Sequence, residues 1–197
     1  MWTLILGGAR SGKSDLAVRL AAAQGDVLFV ATMEPLDEEM EHRIDAHRAS
    51  RPPHWQTIEV PLAVTASIKN ASPHACVVID CVTLWVSNVL LARVDTPDDI
   101  APDVADRAAQ DAVLAVHEFV DWASGFDGEV IVVSNEAGMG VVPAHPLGRL
   151  FRDALGTANG IIAARADRVY YLVAGLALEL KALGARPLRE LGEAPDA

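Results

Sequence analysis

The stretch GGARSGKS, residues 7 to 14, matches the pattern G-x-x-x-x-G-K-[ST] through Gly7, Gly12, Lys13 and Ser14. These residue types suit one chemistry. Glycines let the backbone curl so that successive N–H groups, and the N-terminus of a following helix, face an anion. Gly8, Ala9, Arg10 and Ser11 supply the intervening amides. Lys13 reaches the β- and γ-phosphates of a nucleotide, and the Ser14 hydroxyl is placed to bind Mg²⁺. The context is the one a phosphate loop requires, an apolar TLIL run before it and the helical pattern KSDLAVRLAAA after it. A second fragment, VVIDC, reads as an apolar strand ending in Asp80, where a carboxylate would hold the same magnesium.

A third stretch, EHRIDAHRASRPPHW at 41 to 55, packs three histidines and three arginines into fifteen positions. Leu36 to Ser50 has helical periodicity, and at 3.6 residues per turn Leu36, Met40, Ile44 and His47 share one face. His42 then lies on the opposite side, and His54 follows Pro52 and Pro53, past the end of the helix. A two-histidine metal site on one helix wants a spacing of four. His42 and His47 are five apart and diverge by about 140°, which argues against a metal. His47 faces inward, with Arg48 and Arg51 close behind it. A neutral imidazole beside guanidinium groups can attack phosphorus while the arginines hold the phosphate oxygens, although an inward histidine can equally be a satisfied core residue.

These residues need a scaffold. Short apolar runs at Thr3 to Leu6, Val27 to Val30, Cys76 to Ile79, Val130 to Val133 and Arg168 to Val173 read as buried strands. Helical patterns at Lys13 to Ala23, Leu36 to Ser50, Thr83 to Ala92, Asp103 to Ala123 and Leu147 to Ala166 alternate with them, which predicts an α/β fold with a mostly parallel sheet. At 197 residues and 51% hydrophobic content the chain is expected to be one domain spanning 1–197. Its tail is expected to fray from about residue 185. DTPDDIAPD, residues 95 to 103, reads as a surface connection that opens a helix.

Composition excludes some classes. A net charge of -11 argues against binding nucleic acid or an anionic membrane surface, since both need a basic footprint. The apolar run ACVVIDCVTLWVSNVLLA carries Asp80 near its middle, where a charge costs roughly 2.5 to 3.5 kcal/mol in a bilayer. A strand followed by a helix accounts for it better than membrane insertion does. MWTLILGG has no basic leader, so a cytoplasmic protein is expected. Cys76 and Cys81, the only cysteines, lie about 16 Å apart along an extended strand, too far for a disulfide, and read as buried thiols in a reducing compartment.

Together, GGARSGKS from 7, FVATMEPLDEEMEHRIDAHRASRPPHW from 29, VVIDCVTLWVSNVL from 77, VVSNEAGMGVVP from 132 and GRLFRD from 148 resemble the bifunctional adenosylcobinamide kinase/adenosylcobinamide-phosphate guanylyltransferase family. The resemblance runs from the N-terminus to about Lys181. It implies a RecA-like P-loop NTPase fold and a homotrimer. It also implies an enzyme that phosphorylates the aminopropanol hydroxyl of adenosylcobinamide with ATP or GTP, then transfers GMP from GTP onto that phosphate. In the resemblance GMP passes through a covalent histidine, which corresponds to His47. Nucleotide contacts carry over to residues 7–14, to Ala31, Thr32 and Met33, to Arg48, Ala49, Ser50 and Arg51, to Glu59 and to Asp80. Two departures stand out: some members have two adjacent histidines where this chain has Ala46 and His47, and Gly160 follows Asn159 where a glutamine is usual.

Without the resemblance, the motifs reach a soluble P-loop protein that uses a magnesium nucleotide. A nucleotide switch that couples hydrolysis to a partner shares the same motifs. So does a plain small-molecule kinase, for which His47 would be dispensable.

Overall fold

The computed structural model describes residues 1–34, 48 and 51–191. All of its strands join one sheet. In chain order they are β1 (Trp2–Gly7), β2 (Val27–Ala31), β3 (Gln56–Glu59), β4 (Cys76–Asp80), β5 (Glu129–Val133), β6 (Arg168–Val173) and β7 (Leu176–Glu179). Their spatial order is β3-β2-β4-β5-β1-β6-β7. Every neighbouring pair is parallel except β6 with β7. The helices among the described residues are α1 (Lys13–Ala21), α2 (Val64–Asn70), α3 (Val82–Leu91), α4 (Pro102–Ser124) and α5 (Pro146–Arg165).

The central strands are buried on both faces because helices cover both sides of a parallel sheet, so their sequences are continuous apolar runs. Alternate residues still go to different layers. Leu4, Leu28, Val30, Val77, Ile79, Val130 and Val132 pack with α3, α4 and α5 in the larger core layer. Ile5, Val27, Phe29, Val78, Ile131 and Val133 pack with Ala17 and Ala21 of α1 in the smaller one. Phe119 of α4 anchors the larger layer, with the rings of Trp2 and Trp85 each edge-on at 6.0 Å. Edge-to-face pairs of this kind add about 0.5–1.5 kcal/mol to their area burial.

The α/β reading agrees with this sheet, and the five expected strands lie within a residue of the observed ones at each end. The apolar run through Asp80 divides into β4 and α3. Among the described residues no helix is long and apolar enough to cross a membrane. Three elements, β3, α2 and β7, escaped the sequence reading. QTIE of β3 is half-exposed at the sheet edge and holds a single large apolar residue, Ile58. LALE of β7 is the other edge and faces mostly solvent. Neither makes the buried run that marks a central strand. Glu179 closes the turn after β7, its carboxylate accepting from the amides of Lys181 and Ala182 at 3.1 and 2.6 Å. Leu188–Glu190 forms a 3-10 turn inside the segment expected to fray. The helix expected over Leu36 to Ser50 lies outside the described residues apart from Arg48.

In the sheet order β5 stands between β1 and β4. The loops leaving the C-terminal ends of these three strands therefore share one crevice, the position where open α/β sheets bind ligands.

Candidate active site

The loop between β1 and α1 takes its shape from two glycines. A Cβ at Gly7 would lie 2.6 Å from the carbonyl oxygen of Leu172 in β6 and 2.8 Å from Ser11 Oγ, closer than such contacts allow. Gly12, just before α1, has φ 93°, in the left-handed region that favours glycine. Arg10 also has a positive φ, 55°. The turn so formed lifts residues 8–10 into solvent, while Ser11 and Lys13 are buried. Lys13 Nζ donates to the carbonyl oxygen of Gly8 at 2.5 Å and to Ser11 Oγ at 3.5 Å, so the ammonium lies folded over its own loop.

Next to this loop is a pocket of about 590 Å³, lined by residues 9–15, by Asp80 and Cys81 after β4, and by Val133 and Asn135 after β5. That volume is in the range of small-molecule sites, about 300–1,000 Å³. Lys13, Ser14 and Asp80, separated by up to 67 residues in sequence, thus meet at one cavity.

Asp80 is held from behind. Thr32, wholly buried after β2, accepts from the amide of Cys81 at 2.9 Å and donates its hydroxyl to the carbonyl oxygen of Cys81 at 2.7 Å. Its own amide donates to the carbonyl oxygen of Asp80 at 3.2 Å. Asn88 of α3 then donates to the carbonyl oxygens of Thr32 and Pro61 at 2.9 and 3.2 Å. The Thr32 hydroxyl is therefore engaged with the Asp80–Cys81 connection. Ala31 is likewise buried, and Met33 half-buried.

Arg51 lies over the ring of Phe29, its guanidinium carbon 3.8 Å from the centroid. Trp55 stacks on the same ring at 6.4 Å. Burial pulls Arg51 below the usual arginine range, against the opposing pull of the Asp80 carboxylate, and nearby Arg48 adds to the lowering. Arg48 is ion-paired with Glu59, both about half-exposed. The arginine and the carboxylate assigned to nucleotide by the resemblance thus neutralise each other in this structure. Exposed pairs of this kind contribute no more than about 1 kcal/mol, so an incoming phosphate can compete for the arginine. His47, Ala49 and Ser50 lie outside the described residues, as does His42.

Four pocket-lining residues were absent from the sequence-derived set: Asp15, Cys81, Val133 and Asn135. Burial, reinforced by Asp80, pushes the Cys81 thiol up to about 11. Burial and Glu129 push Cys76 to about 12. Both stay protonated at neutral pH, so neither is a nucleophile there. Asn135 directly follows Ser134 at the end of β5, a position legible from sequence only once β5 is known to lie beside the phosphate loop.

Comparison with known proteins adds a family to this geometry. The family model described as "Cobinamide kinase / cobinamide phosphate guanyltransferase" matches residues 3–180. The chain is 44% identical over 183 residues to the "Bifunctional adenosylcobalamin biosynthesis protein CobP" of Pseudomonas aeruginosa, covering 92% of this chain and 98% of that protein. It is 38% identical over 184 residues to the "Bifunctional adenosylcobalamin biosynthesis protein CobU" of Escherichia coli, covering 92% of this chain and all of that protein. The protein of the same name from Salmonella typhimurium is 36% identical over 187 residues.

Proposed function

The chain belongs to the cobinamide kinase / cobinamide phosphate guanyltransferase family, and we propose that it carries out both reactions in adenosylcobalamin biosynthesis. In the first, the aminopropanol hydroxyl of adenosylcobinamide attacks the γ-phosphorus of ATP or GTP. The bond from that phosphorus to the β–γ bridging oxygen breaks, a nucleoside diphosphate leaves, and the hydroxyl proton is released to solvent. In the second, an imidazole nitrogen of His47 attacks the α-phosphorus of GTP, forming a P–N bond and expelling pyrophosphate. An oxygen of the substrate's new phosphate then attacks the same phosphorus, the P–N bond breaks, and adenosylcobinamide-GDP is released with His47 restored. A protonated imidazole is a good leaving group, which makes the phosphoramidate a competent donor.

The observation that carries this reading is the meeting of Lys13, Ser14 and Asp80 at one pocket in a chain of this family. The Ser14 hydroxyl and the Asp80 carboxylate are hard oxygen donors of the kind Mg²⁺ takes alongside phosphate oxygens, so the residues present fit the ion. When bound, it would neutralise charge between adjacent phosphates. Around it, Lys13 gives up its hold on the Gly8 carbonyl to reach the β- and γ-phosphates, and the loop amides follow the phosphate oxygens. Arg51, and Arg48 once released from Glu59, hold phosphate near His47. The reaction belongs in the cytoplasm, where both nucleoside triphosphates are available.

Incubating the protein with adenosylcobinamide and ATP is expected to give the phosphate ester. Adding GTP is expected to convert that ester to adenosylcobinamide-GDP with one pyrophosphate released per product, resolved by chromatography of the corrinoids. Recovery of unmodified adenosylcobinamide under both conditions would refute the reading.

We place the working assembly as a homotrimer. In support, the β6–β7 hairpin exposes Val173, Leu176 and Leu178, with Leu183 exposed in the turn beyond β7, and an apolar sheet edge of this kind is normally covered. Light scattering is expected to return three times the chain mass, and a monomer mass at micromolar concentration would rule this out.

A further inference from the structure

The residue after β5 occupies a special place, because β5 alone separates the phosphate-loop strand β1 from the Asp80 strand β4. Ser134 and Asn135 sit there inside a polar frame drawn from several elements. The Ser134 amide donates to the carbonyl oxygen of Ile5 at 2.9 Å, and the Glu136 amide donates to that of Gly7 at 3.2 Å, so this segment runs bonded to the start of the phosphate loop. The Ser134 hydroxyl, wholly buried, donates to Asn159 Oδ1 of α5 at 2.6 Å. Asn159, itself 5% exposed, turns its amide nitrogen to the carbonyl oxygen of Asn135 at 2.9 Å. The amide of Asn135 donates to Thr83 Oγ1 of α3 at 2.8 Å.

Both backbone polar groups of Asn135 are thus held, one by α3 and one by α5. Its side-chain amide forms no hydrogen bond among the described residues, and Asn135 lines the pocket that also carries Lys13, Ser14 and Asp80. Burying Ser134 and Asn159 is costly unless their groups are satisfied. Here they are satisfied by one another and by Asn135, so the network fixes where the Asn135 amide stands. A carboxamide does not titrate in this range and cannot serve as a base. What it offers a triphosphate is a neutral N–H donor at the pocket wall, carried on a backbone whose own polar groups are held in place.

We propose that Asn135 is a further catalytic residue whose side-chain NH₂ donates to a γ-phosphate oxygen of the bound triphosphate, with Thr83, Ser134 and Asn159 as its positioning residues. The proposal rests on the kinase reading above and names a group at the same site. During phosphoryl transfer Asn135 exchanges no atoms. The acceptor oxygen bonds to the γ-phosphorus, the diphosphate leaves with the bridging oxygen, and the amide meets charge on the oxygens of the transferring group.

The test compares wild type with Asn135→Ala and Asn135→Asp. Titration calorimetry would use GDP and a GTP analogue with a methylene between the β- and γ-phosphorus, alongside the kinase kcat and the KM for adenosylcobinamide. In Asn135→Ala, affinity for GDP is expected to stay within twofold, while affinity for the analogue falls about tenfold. The kcat is expected to fall roughly 10²-fold with KM nearly unchanged. Asn135→Asp sets a negative charge against the γ-phosphate and is expected to lose at least as much. Retained activity in Asn135→Asp would overturn the proposal, because an acceptor of the substrate's hydroxyl proton tolerates that change whereas a donor to phosphate does not. Equal loss of GDP and analogue binding would overturn it as well, since it would mark a purely structural role. Thr83→Val removes the acceptor for the Asn135 amide and is expected to lower kcat without affecting GDP binding, with Thr83→Ser restoring it. If wild type phosphorylates no corrinoid, the functional reading fails, while the contrast between the two nucleotides still decides Asn135.

Discussion

His47→Ala is expected to abolish guanylyl transfer while leaving phosphoryl transfer in place. Removing a covalent nucleophile eliminates an intermediate, and such losses exceed roughly 10³-fold. Phosphorylation of the acceptor hydroxyl has no covalent step on the enzyme, so positioning and charge neutralisation at the phosphate loop remain available to it. The measurement uses GTP labelled at the α-phosphorus. Wild type should retain label that is lost in acid and stable in alkali, as expected of a phosphoramidate, and His47→Ala should retain none. Substrate phosphorylation followed in the same preparations should persist in the variant. Unchanged labelling in His47→Ala would assign the nucleophile elsewhere, and joint loss of both activities would make His47 part of the common phosphate site instead.

Lys13→Met is expected to depress both reactions, each by about 10²–10³-fold, because in the proposed mechanism one buried cation serves triphosphate in each of them. Methionine keeps most of the length and apolar bulk of the lysine stem, so the buried position next to β1 stays filled. The variant does lose the bonds to the Gly8 carbonyl and to Ser11. Both of these lie in the loop itself, so the circular dichroism spectrum should match wild type while affinity for triphosphate falls. Together the two variants separate the site into a shared part and a guanylyl-specific part. Retention of either activity within threefold in Lys13→Met would exclude its assigned role.

Residues near in sequence carry the signals that could be read directly. The phosphate loop is eight consecutive positions and Gly12 needs its left-handed φ locally, whereas at Gly7 it is Leu172 of β6, far away in sequence, together with Ser11 that leaves no room for a Cβ. Asp80 was legible because it ends an apolar strand. β1, β2, β4 and β5 were legible because burial on both faces writes itself as an apolar run, and β6, exposed at its ends, was legible from its valines, tyrosines and leucine. The edges β3 and β7 were not, since half-exposed four-residue strands leave no such pattern, and neither did the seven-residue α2.

Asn135 shows where local reading ends. Nothing in SNE marks its middle residue, for asparagine after a strand is ordinary turn chemistry. Its standing depends on β5 lying between β1 and β4, and on Thr83 and Asn159 arriving from α3 and α5 to hold its backbone. Likewise Thr32, grouped by resemblance with the nucleotide contacts, has its hydroxyl committed to the Cys81 backbone 49 positions away. Glu59 is paired with Arg48. By itself, then, the sequence determined that this is an α/β P-loop protein with an aspartate ending an apolar strand and an arginine-flanked histidine, because loop geometry and strand burial act over a few adjacent residues. Only the tertiary structure decided which polar residues face the phosphate pocket and which stand behind it, because strand order and buried hydrogen bonds join positions that the chain itself keeps far apart.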